Sequence, residues 1–369
     1  MKGCFGWLLA LALSLGTALA DVKVQNDFDY MGPAMQRWVD GNGKTLHYLD
    51  EGPRNGIPVV LVSGHGTSGR ALALTDFLRS LRQSLGLRFI ALERNGFGET
   101  AFDPSGDYAS YAAEVEALLA HLGVQRFSLV AISGGGPYSA AIASRLPTRL
   151  RSVHLAAAIS QNAGVAAPSP SCALSDQQII DNYLAARYDV PSVWWDLGPN
   201  TAVNRVPGFL DEAADEGARF FYGKGSTGFD LQPLVHELKL YCSQPVADVS
   251  AVAAPVFIYH GEADTTVVPA HAAFWRSHYA NVVATRLYPG EGHDVQYRHW
   301  GHILADLAYG GRRTLLCWRG QSRLVETREA GPLLKRRHPG HLRLATHRPL
   351  RARPTASAPV SSGWCRRSW

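Results

Sequence analysis

Cysteine and long apolar segments are both scarce in this sequence, and each scarcity excludes a class of protein. Only 5 of the 369 residues are cysteine, and none of them has the paired spacing of a metal site or of a redox motif. After residue 20, no apolar segment approaches the ~20 residues that are needed to span a bilayer. The sequence therefore predicts neither a cysteine-ligated metal centre nor a membrane span beyond the N-terminus.

A strong charge of one sign is also missing from most of the chain. The formal net charge of +5 would by itself suggest binding to nucleic acid or to a membrane surface. Residues 311–369, however, hold 14 basic and 2 acidic residues, whereas residues 1–310 hold 22 basic and 29 acidic residues, a net charge of −7. The body of the protein offers no net attraction to polyanions, so no nucleic-acid partner is expected.

The first 20 residues have the pattern of a secretory signal peptide. Lys2 supplies a positive charge, an apolar run extends from Phe5 to Leu15, and residues 18–20 (Ala-Leu-Ala) form a small-residue cleavage site. Cleavage after Ala20 predicts a secreted or periplasmic protein without stable membrane insertion. An uncleaved membrane anchor is the alternative interpretation.

Export would leave four cysteines in an oxidising compartment, where disulfides form. These are Cys172, Cys242, Cys317 and Cys365. Cys172 and Cys242 are one candidate pair, although the sequence alone does not determine the pairing.

Apolar runs alternate with helical patterns through most of the chain. Ile57–Val62 is apolar throughout, and Phe127–Ile132 and Val153–Ile159 are apolar except at Ser128 and His154, as expected of strands that are buried on both faces. Helical sequence between such strands favours an α/β fold, in which a mostly parallel central sheet carries helices on both faces. A Gly-Asn-Gly turn at residues 41–43 predicts an antiparallel hairpin ahead of that sheet.

The alternation divides the chain into segments. It stops over residues 160–250, where proline, glycine and aromatic residues predict an inserted helical cap between two core parts, residues 21–159 and 251–310. Residues 311–369 are rich in Arg, Pro and His and lack a sustained apolar period, so a disordered basic tail is expected there. A tail that binds an anionic surface, a solvated extension and a reading-frame artefact remain open interpretations of that tail.

A nucleophilic serine is predicted at a strand-to-helix turn. Residues 131–136 (Ala-Ile-Ser-Gly-Gly-Gly) place Ser133 at the tip of a turn that needs small neighbours. Such a turn strains the backbone of the serine and lifts its hydroxyl clear of the sheet. A serine hydroxyl is a poor nucleophile without a base, and a carboxylate must hold that base in one tautomer.

Two later loops supply the candidate base and carboxylate. Asp264 follows the next-to-last predicted strand, and His293 follows the last one. Loops at the carboxyl ends of parallel strands meet at one edge of a sheet, so we predict that Ser133, His293 and Asp264 form a catalytic triad. Four more polar residues near these loops are interpreted as structural or solvated: His260, His299, His302 and Asp294.

A glycine-rich loop after the first buried strand is the fourth element. It reads Ser-Gly-His-Gly-Thr-Ser-Gly over residues 63–69. We assign the oxyanion hole, which binds the negative oxygen of a tetrahedral intermediate, to the backbone N–H groups of Thr67 and Gly134. His65 does not occupy the position of the base, and we assign His65 and Gly66 to contacts with the substrate.

Together these four loops resemble the α/β-hydrolase superfamily, specifically its lidded esterase, lipase and aminopeptidase-like branches. The resemblance covers residues from about Arg37 to Ala308. Two positions depart from the family pattern, because Ala131 replaces a glycine of the serine motif and Asn95 replaces a proline in the loop Glu93–Thr100. The resemblance implies a small-molecule ester substrate and neither a metal nor an organic cofactor.

The expected reaction is hydrolysis of carboxylic esters with small to medium, mainly apolar acyl chains. Trp194 and Trp195 in the predicted cap are candidate contacts with the acyl chain. The sequence is also compatible with a proline-iminopeptidase-like aminopeptidase, in which Glu212 or Glu216 would hold the free amine of the substrate. A lactonase is a further alternative. A hydrolase-fold binding protein that lacks catalytic activity is another, but the complete triad argues against it.

Overall fold

A computed structural model describes residues 34–162, 169–185, 231–318 and 321–330. Predictions on other residues lie outside this part of the chain, and they concern the signal peptide (1–20), Trp194, Trp195, Glu212 and Glu216. Among the described residues, no helix is both long and apolar enough to cross a bilayer.

The described elements follow the predicted alternation. The strands are β1 (Gln36–Val39), β2 (Thr45–Glu51), β3 (Ile57–Val62), β4 (Leu87–Leu92), β5 (Phe127–Ile132), β6 (Leu150–Ala156), β7 (Val256–Gly261), β8 (Val282–Tyr288), β9 (Arg313–Trp318) and β10 (Gln321–Glu326). The α-helices are α1 (Arg79–Ser84), α2 (Tyr108–His121), α3 (Gly135–Arg145), α4 (Asp176–Ala185), α5 (Gln232–Ser243), α6 (Ala270–His278), α7 (Val295–Arg298) and α8 (Trp300–Tyr309). Short 3-10 helices cover Gly69–Leu78, Pro147–Arg149 and Pro170–Ala173.

Eight strands form one sheet in the order β1-β2-β4-β3-β5-β6-β7-β8. The β1–β2 and β2–β4 pairs are antiparallel, and every later pair is parallel. This arrangement confirms the predicted α/β class, its mostly parallel sheet and the N-terminal hairpin. The carboxyl ends of β3, β5, β7 and β8 lie along one edge, where the four motif loops begin.

Two apolar layers cover the sheet. Successive side chains of a strand point to opposite faces, so Val60 and Val62 pack in one layer with residues of α2 and α3, such as Val115. Val59 and Leu61 pack in the other layer with residues of α1 and α8. Both faces of β3 are therefore buried, which explains why this strand is apolar throughout.

The predicted cap is described only at its two ends. Helices α4 and α5 form these ends, and a disulfide joins Cys172 to Cys242, as the sequence suggested. The intervening residues 186–230 lie outside the described part of the chain, so the cap itself stays a prediction.

The prediction that residues 311–369 are disordered is wrong for the first part of that segment. Strands β9 and β10 form an antiparallel hairpin, in which Gln321 pairs with Trp318 and Glu326 pairs with Arg313. Leu315 is buried against Gly301 of α8. The two residues are so close that a Cβ built on Gly301 would lie 2.6 Å from a methyl carbon of Leu315. Leu315 and the partly buried Leu324 are too few and too far apart to give a sustained apolar period, which is why composition did not reveal the hairpin. Residues 331–369 lie outside the described part of the chain.

A series of hydrogen-bonded polar side chains is buried beside strands β6, β7 and β8. His154 of β6 contacts the Ser152 hydroxyl through Nε2 at 2.8 Å and the Tyr259 hydroxyl through Nδ1 at 3.1 Å. Tyr259 in turn donates to Asp306 at 2.6 Å, and Asp306 is paired with Arg286. Burial, together with the positive charge of Arg286, lowers the pKa of His154 to about 3.

His154 is expected to make the fold sensitive to acid. The unfolded chain binds a proton at this histidine below about pH 6.5, whereas the folded protein keeps it neutral down to about pH 3. The free energy of unfolding should therefore fall as the pH drops below about 6.5, by about 3 kcal/mol from this residue at about pH 4.5. Urea unfolding at a series of pH values measures this loss, and His154→Gln should reduce it.

The matched control is His278→Gln, because His278 lies exposed near the end of α6. This variant should keep the wild-type dependence of unfolding free energy on pH. Equal pH slopes for the two variants would contradict the assignment to His154.

Candidate active site

The turn that carries Ser133 joins β5 to α3. Ser133 has a φ of +48°, a left-handed backbone conformation that residues other than glycine rarely adopt. The chain is so close to its neighbours here that a Cβ at Gly135 would collide with the carbonyl oxygen of Val62, and one at Gly136 with that of Ile159. The two glycines therefore allow the strained turn that exposes the serine, as the sequence predicted.

Ser133, His293 and Asp264 form one hydrogen-bonded row. His293 Nε2 lies 3.0 Å from Ser133 Oγ, and His293 Nδ1 lies 2.9 Å from Asp264 Oδ2. The other oxygen, Asp264 Oδ1, accepts hydrogen bonds from the backbone N–H groups of Thr266 and Val267 at 2.9 and 2.8 Å. The structure thus brings together the three residues of the predicted triad.

The surroundings of Asp264 keep its carboxylate charged. Burial raises the pKa of this carboxyl, but His293 and the Val267 amide outweigh burial and bring the pKa below its ordinary value. A carboxylate at Asp264 accepts the Nδ1–H of His293, which leaves Nε2 free to accept the hydroxyl proton of Ser133. The row therefore has the polarity that activation of a serine requires.

The remaining histidines near the triad make different contacts. His260 Nε2 donates to the Val267 carbonyl at 2.7 Å. His299 donates to Glu291 at 2.7 Å and stacks on Tyr288 with ring centroids 3.6 Å apart. Both histidines are buried. They support the loops that carry Asp264 and His293, in line with their structural interpretation.

Asp294 and His302 are also placed inside the protein and not in solvent. Asp294 forms an ion pair with Arg298 one turn along the chain, at the start of α7. His302 is 7% exposed on α8. The structural interpretation of both residues is consistent with these positions.

In the glycine-rich loop of residues 63–69, the structure differs from the prediction at Thr67. Its backbone N–H donates to the Gly64 carbonyl at 3.3 Å, and its hydroxyl donates to the same oxygen at 2.6 Å. Gly66 has a φ of +70°, a turn that directs the Thr67 amide back into its own loop. The geometry therefore does not support Thr67 as an oxyanion donor.

The His65 amide nitrogen lies close to the turn that carries Ser133. A Cβ built on Gly134 would be 2.7 Å from His65 N, and one built on Gly64 would be 3.4 Å from Ser133 Cβ. The backbone nitrogen of His65 thus lies beside Gly134, the residue that follows the serine. Gly134 stays a candidate oxyanion donor, and His65 replaces Thr67 as the second candidate donor.

Sequence reasoning missed a buried ion pair behind this loop. Arg94 Nε donates to Glu237 Oε1 at 2.6 Å, while Glu237 Oε2 lies 2.7 Å from His65 Nδ1 and accepts the Gly66 N–H at 3.1 Å. Glu237 belongs to α5, a helix that carries no recognisable motif. A partner so far away in sequence could not be found from local patterns. His65 and Gly66, predicted to contact substrate, are held by this carboxylate.

The described residues contain no group of three or more His, Cys, Asp or Glu side chains that could hold a metal ion.

Comparison with known proteins agrees with the fold. A family model described as the alpha/beta hydrolase fold matches residues 57–192. A haloalkane dehalogenase 2 of Mycobacterium tuberculosis is 32% identical over 126 residues, which cover 33% of this chain and 42% of that protein. The acetyltransferase component of the acetoin cleaving system of Pseudomonas putida is 34% identical over 128 residues, or 34% of this chain and 33% of that protein. The chain thus spans about two fifths or less of the length of these relatives.

Solved structures extend the similarity to the whole core. An esterase from Rhodococcus has a TM-score of 0.55 at 18% identity, over 74% of this chain and 96% of that one. An esterase from Exiguobacterium antarcticum has a TM-score of 0.54 at 18% identity, over 75% of this chain and 98% of that one. A bromoperoxidase from Bacillus anthracis has a TM-score of 0.55 at 21% identity, over 74% of this chain and 98% of that one. The chain thus has the α/β-hydrolase fold that the resemblance of its motifs implied.

Proposed function

We propose that this protein is a serine hydrolase that cleaves carboxylic esters through an acyl-enzyme on Ser133. The observation that carries the proposal is the hydrogen-bonded row from Ser133 through His293 to Asp264, at the carboxyl edge of the sheet. Its substrate would be a small-molecule ester.

The first half of the reaction forms the acyl-enzyme. Ser133 Oγ attacks the carbonyl carbon of the ester while its proton passes to His293 Nε2. The electron pair of the carbonyl moves onto its oxygen, beside the N–H groups of His65 and Gly134. When the carbonyl reforms, the bond to the alkoxide breaks, and the alkoxide takes the proton from His293 and leaves as an alcohol.

The second half releases the acid. A water molecule gives a proton to His293 and attacks the acyl carbon, and the same two amides face the new oxyanion. The bond to Ser133 then breaks, and His293 returns the proton to Oγ. Asp264 stays charged throughout and stabilises the imidazolium that forms in each half.

A serine nucleophile favours acyl transfer over dehalogenation, although one relative is named a haloalkane dehalogenase. Displacement of a halide from carbon by Ser133 would leave an alkyl ether on the enzyme. Water does not cleave such an ether under mild conditions, whereas it readily cleaves the ester that acyl transfer leaves. The name of the Pseudomonas relative, an acetyltransferase, is in line with acyl transfer.

The aminopeptidase alternative needs a carboxylate that is free to bind an amine. Glu237, at the described end of the predicted cap, is already paired with Arg94. Glu212 and Glu216 lie outside the described residues. Among the described carboxylates of the cap, Glu237 is therefore not available to bind an amine.

A panel of substrates tests this proposal. Activity on p-nitrophenyl esters should rise from acetate to butyrate, by up to a few-fold per carbon, because each buried methylene can contribute up to about 0.8 kcal/mol. Aminoacyl-naphthylamides and haloalkanes assayed beside them should show little turnover. If only the naphthylamides were cleaved, the protein would be an aminopeptidase and not an esterase. If only halide were released, it would be a dehalogenase.

Export is part of the same proposal. It is supported by the signal-like pattern of residues 1–20 and by the disulfide between Cys172 and Cys242, a bond that persists in oxidising compartments. Fractionation of cells that express the full chain would locate the protein.

A further inference from the structure

A buried carboxylate on α5 holds the loop that carries the His65 amide. The Glu237 side chain is 2% exposed, and both of its oxygens are used. Oε2 accepts the Gly66 N–H at 3.1 Å and lies 2.7 Å from His65 Nδ1, while Oε1 accepts from Arg94 Nε at 2.6 Å. Two consecutive residues of the loop are therefore fixed by one side chain.

Arg94 extends the hold to the two preceding residues. Its Nη1 donates to the Ser63 carbonyl at 2.8 Å, and its Nη2 donates to the Gly64 carbonyl at 2.6 Å. The rings of Phe97 and Tyr138 lie 5.3 and 5.4 Å from the guanidinium carbon. Arg94 and Glu237 together therefore bond to each of residues 63–66, and the guanidinium is itself held between two rings.

The charges of the pair are stable. Burial raises the pKa of Glu237, but Arg94 and His65 outweigh burial and bring the pKa down to about 2. Burial opposes the positive charge of Arg94, but Glu237 outweighs burial and raises the pKa of Arg94 above its ordinary value. The ion pair therefore persists over the pH range in which a serine hydrolase works.

The held segment contains the His65 amide, which we assign to the proposed oxyanion hole. His65 N lies beside Gly134, and an oxyanion hole works only when its donors lie about 2.7–3.1 Å from the oxyanion. A shift of about 1 Å at such a site can reduce a rate by about 100-fold. The contacts of Glu237 are thus placed to control the rate without touching the reacting atoms.

We propose that Glu237 is a positioning residue for ester hydrolysis, which holds the His65 amide against Ser133 through His65, Gly66 and Arg94. The inference rests on the proposed function. It also links α5, a helix at the end of the predicted cap, to the proposed oxyanion hole.

Glu237→Gln tests the proposal, since it keeps the shape of the side chain and an oxygen acceptor but removes the charge. The assay compares an aryl ester with its thionoester, in which sulfur replaces the carbonyl oxygen and accepts hydrogen bonds weakly. On the oxygen ester, kcat should fall about 10- to 100-fold with KM changed by less than about 3-fold. The ratio of oxygen-ester to thionoester kcat should fall about 10-fold, because only the oxygen ester depends strongly on the oxyanion hole.

Two further variants separate positioning from stability. Asp50→Asn breaks the Arg88–Asp50 pair, whose two hydrogen bonds are each 2.6 Å long, near the amino end of β4 and away from the motif loops. It should change the melting temperature but not the ratio of the two esters. Arg94→Gln combined with Glu237→Gln removes both buried charges, so it remains informative where the single variant does not fold, and it should lower the ratio.

Two results would overturn the positioning role. One is an unchanged kcat in the folded Glu237 variants, and the other is an equal loss on both esters, which marks a purely structural effect. Ser133→Ala is assayed in parallel. If it is inactive while the Glu237 variants are unaffected, the proposed function stands and only the role of Glu237 fails. Full activity of Ser133→Ala would instead overturn the function itself.

Discussion

Replacement of Ser133 by alanine is expected to lower kcat for ester hydrolysis by on the order of 10,000-fold or more. The reason is that the proposed mechanism forms the acyl-enzyme on Ser133 Oγ, and His293 at 3.0 Å has no other hydroxyl in this row to activate. The fold should persist, because alanine keeps the Cβ and removes only the hydroxyl. Initial rates on p-nitrophenyl butyrate and a melting curve measure the two effects.

The matched control is Ser139→Ala, one turn into α3. Its hydroxyl is buried and donates to the Gly136 carbonyl at 2.6 Å, so its loss tests whether any buried serine of this helix affects the rate. We expect a change of less than about 3-fold in kcat, since Ser139 is not part of the triad row. A Ser133→Ala protein that retains a tenth of the wild-type rate would contradict the mechanism.

Loss of the Cys172–Cys242 disulfide is expected to lower the free energy of unfolding by about 2–4 kcal/mol. The two cysteines are 70 residues apart in sequence, so the bond removes a large amount of conformational freedom from the unfolded chain. It also joins the start of the predicted cap to α5, the helix of Glu237. Urea unfolding of the Cys172→Ser/Cys242→Ser double variant, beside the wild type, measures the difference.

Reductant provides the control for this prediction. Dithiothreitol should destabilise the wild type to the level of the double variant and should leave the double variant itself unchanged. Equal urea midpoints for the oxidised wild type and the double variant would show that the bond contributes nothing to stability.

The triad was predictable because each member follows a strong local signal. Ser133 lies between an apolar strand and a helix in a run of glycines, and Asp264 and His293 lie in the loops after the last two strands of the main sheet. Parallel strands bring such loops to one edge without further information. The mostly parallel sheet and its two buried faces follow from the same apolar runs.

The oxyanion donor and its support were beyond the reach of local patterns. Which amide faces Ser133 depends on the left-handed turn at Gly66, and the spacing of residues 63–69 is equally compatible with His65 or Thr67. Glu237 is 143 residues from Arg94 in the sequence, and only the folded chain brings the two together. Leu315 was missed for a related reason, because one buried leucine in a basic segment has no periodicity.

Labelling with a fluorophosphonate tests the central claim most directly. The reagent phosphonylates an activated serine and releases fluoride, so peptide mapping by mass spectrometry identifies the residue that has reacted. We predict one adduct per folded chain, on the peptide that contains Ser133, and its absence from Ser133→Ala and His293→Ala. A folded wild-type protein that stays unlabelled, or that carries its adduct on another serine, would contradict the assignment of Ser133 as the nucleophile.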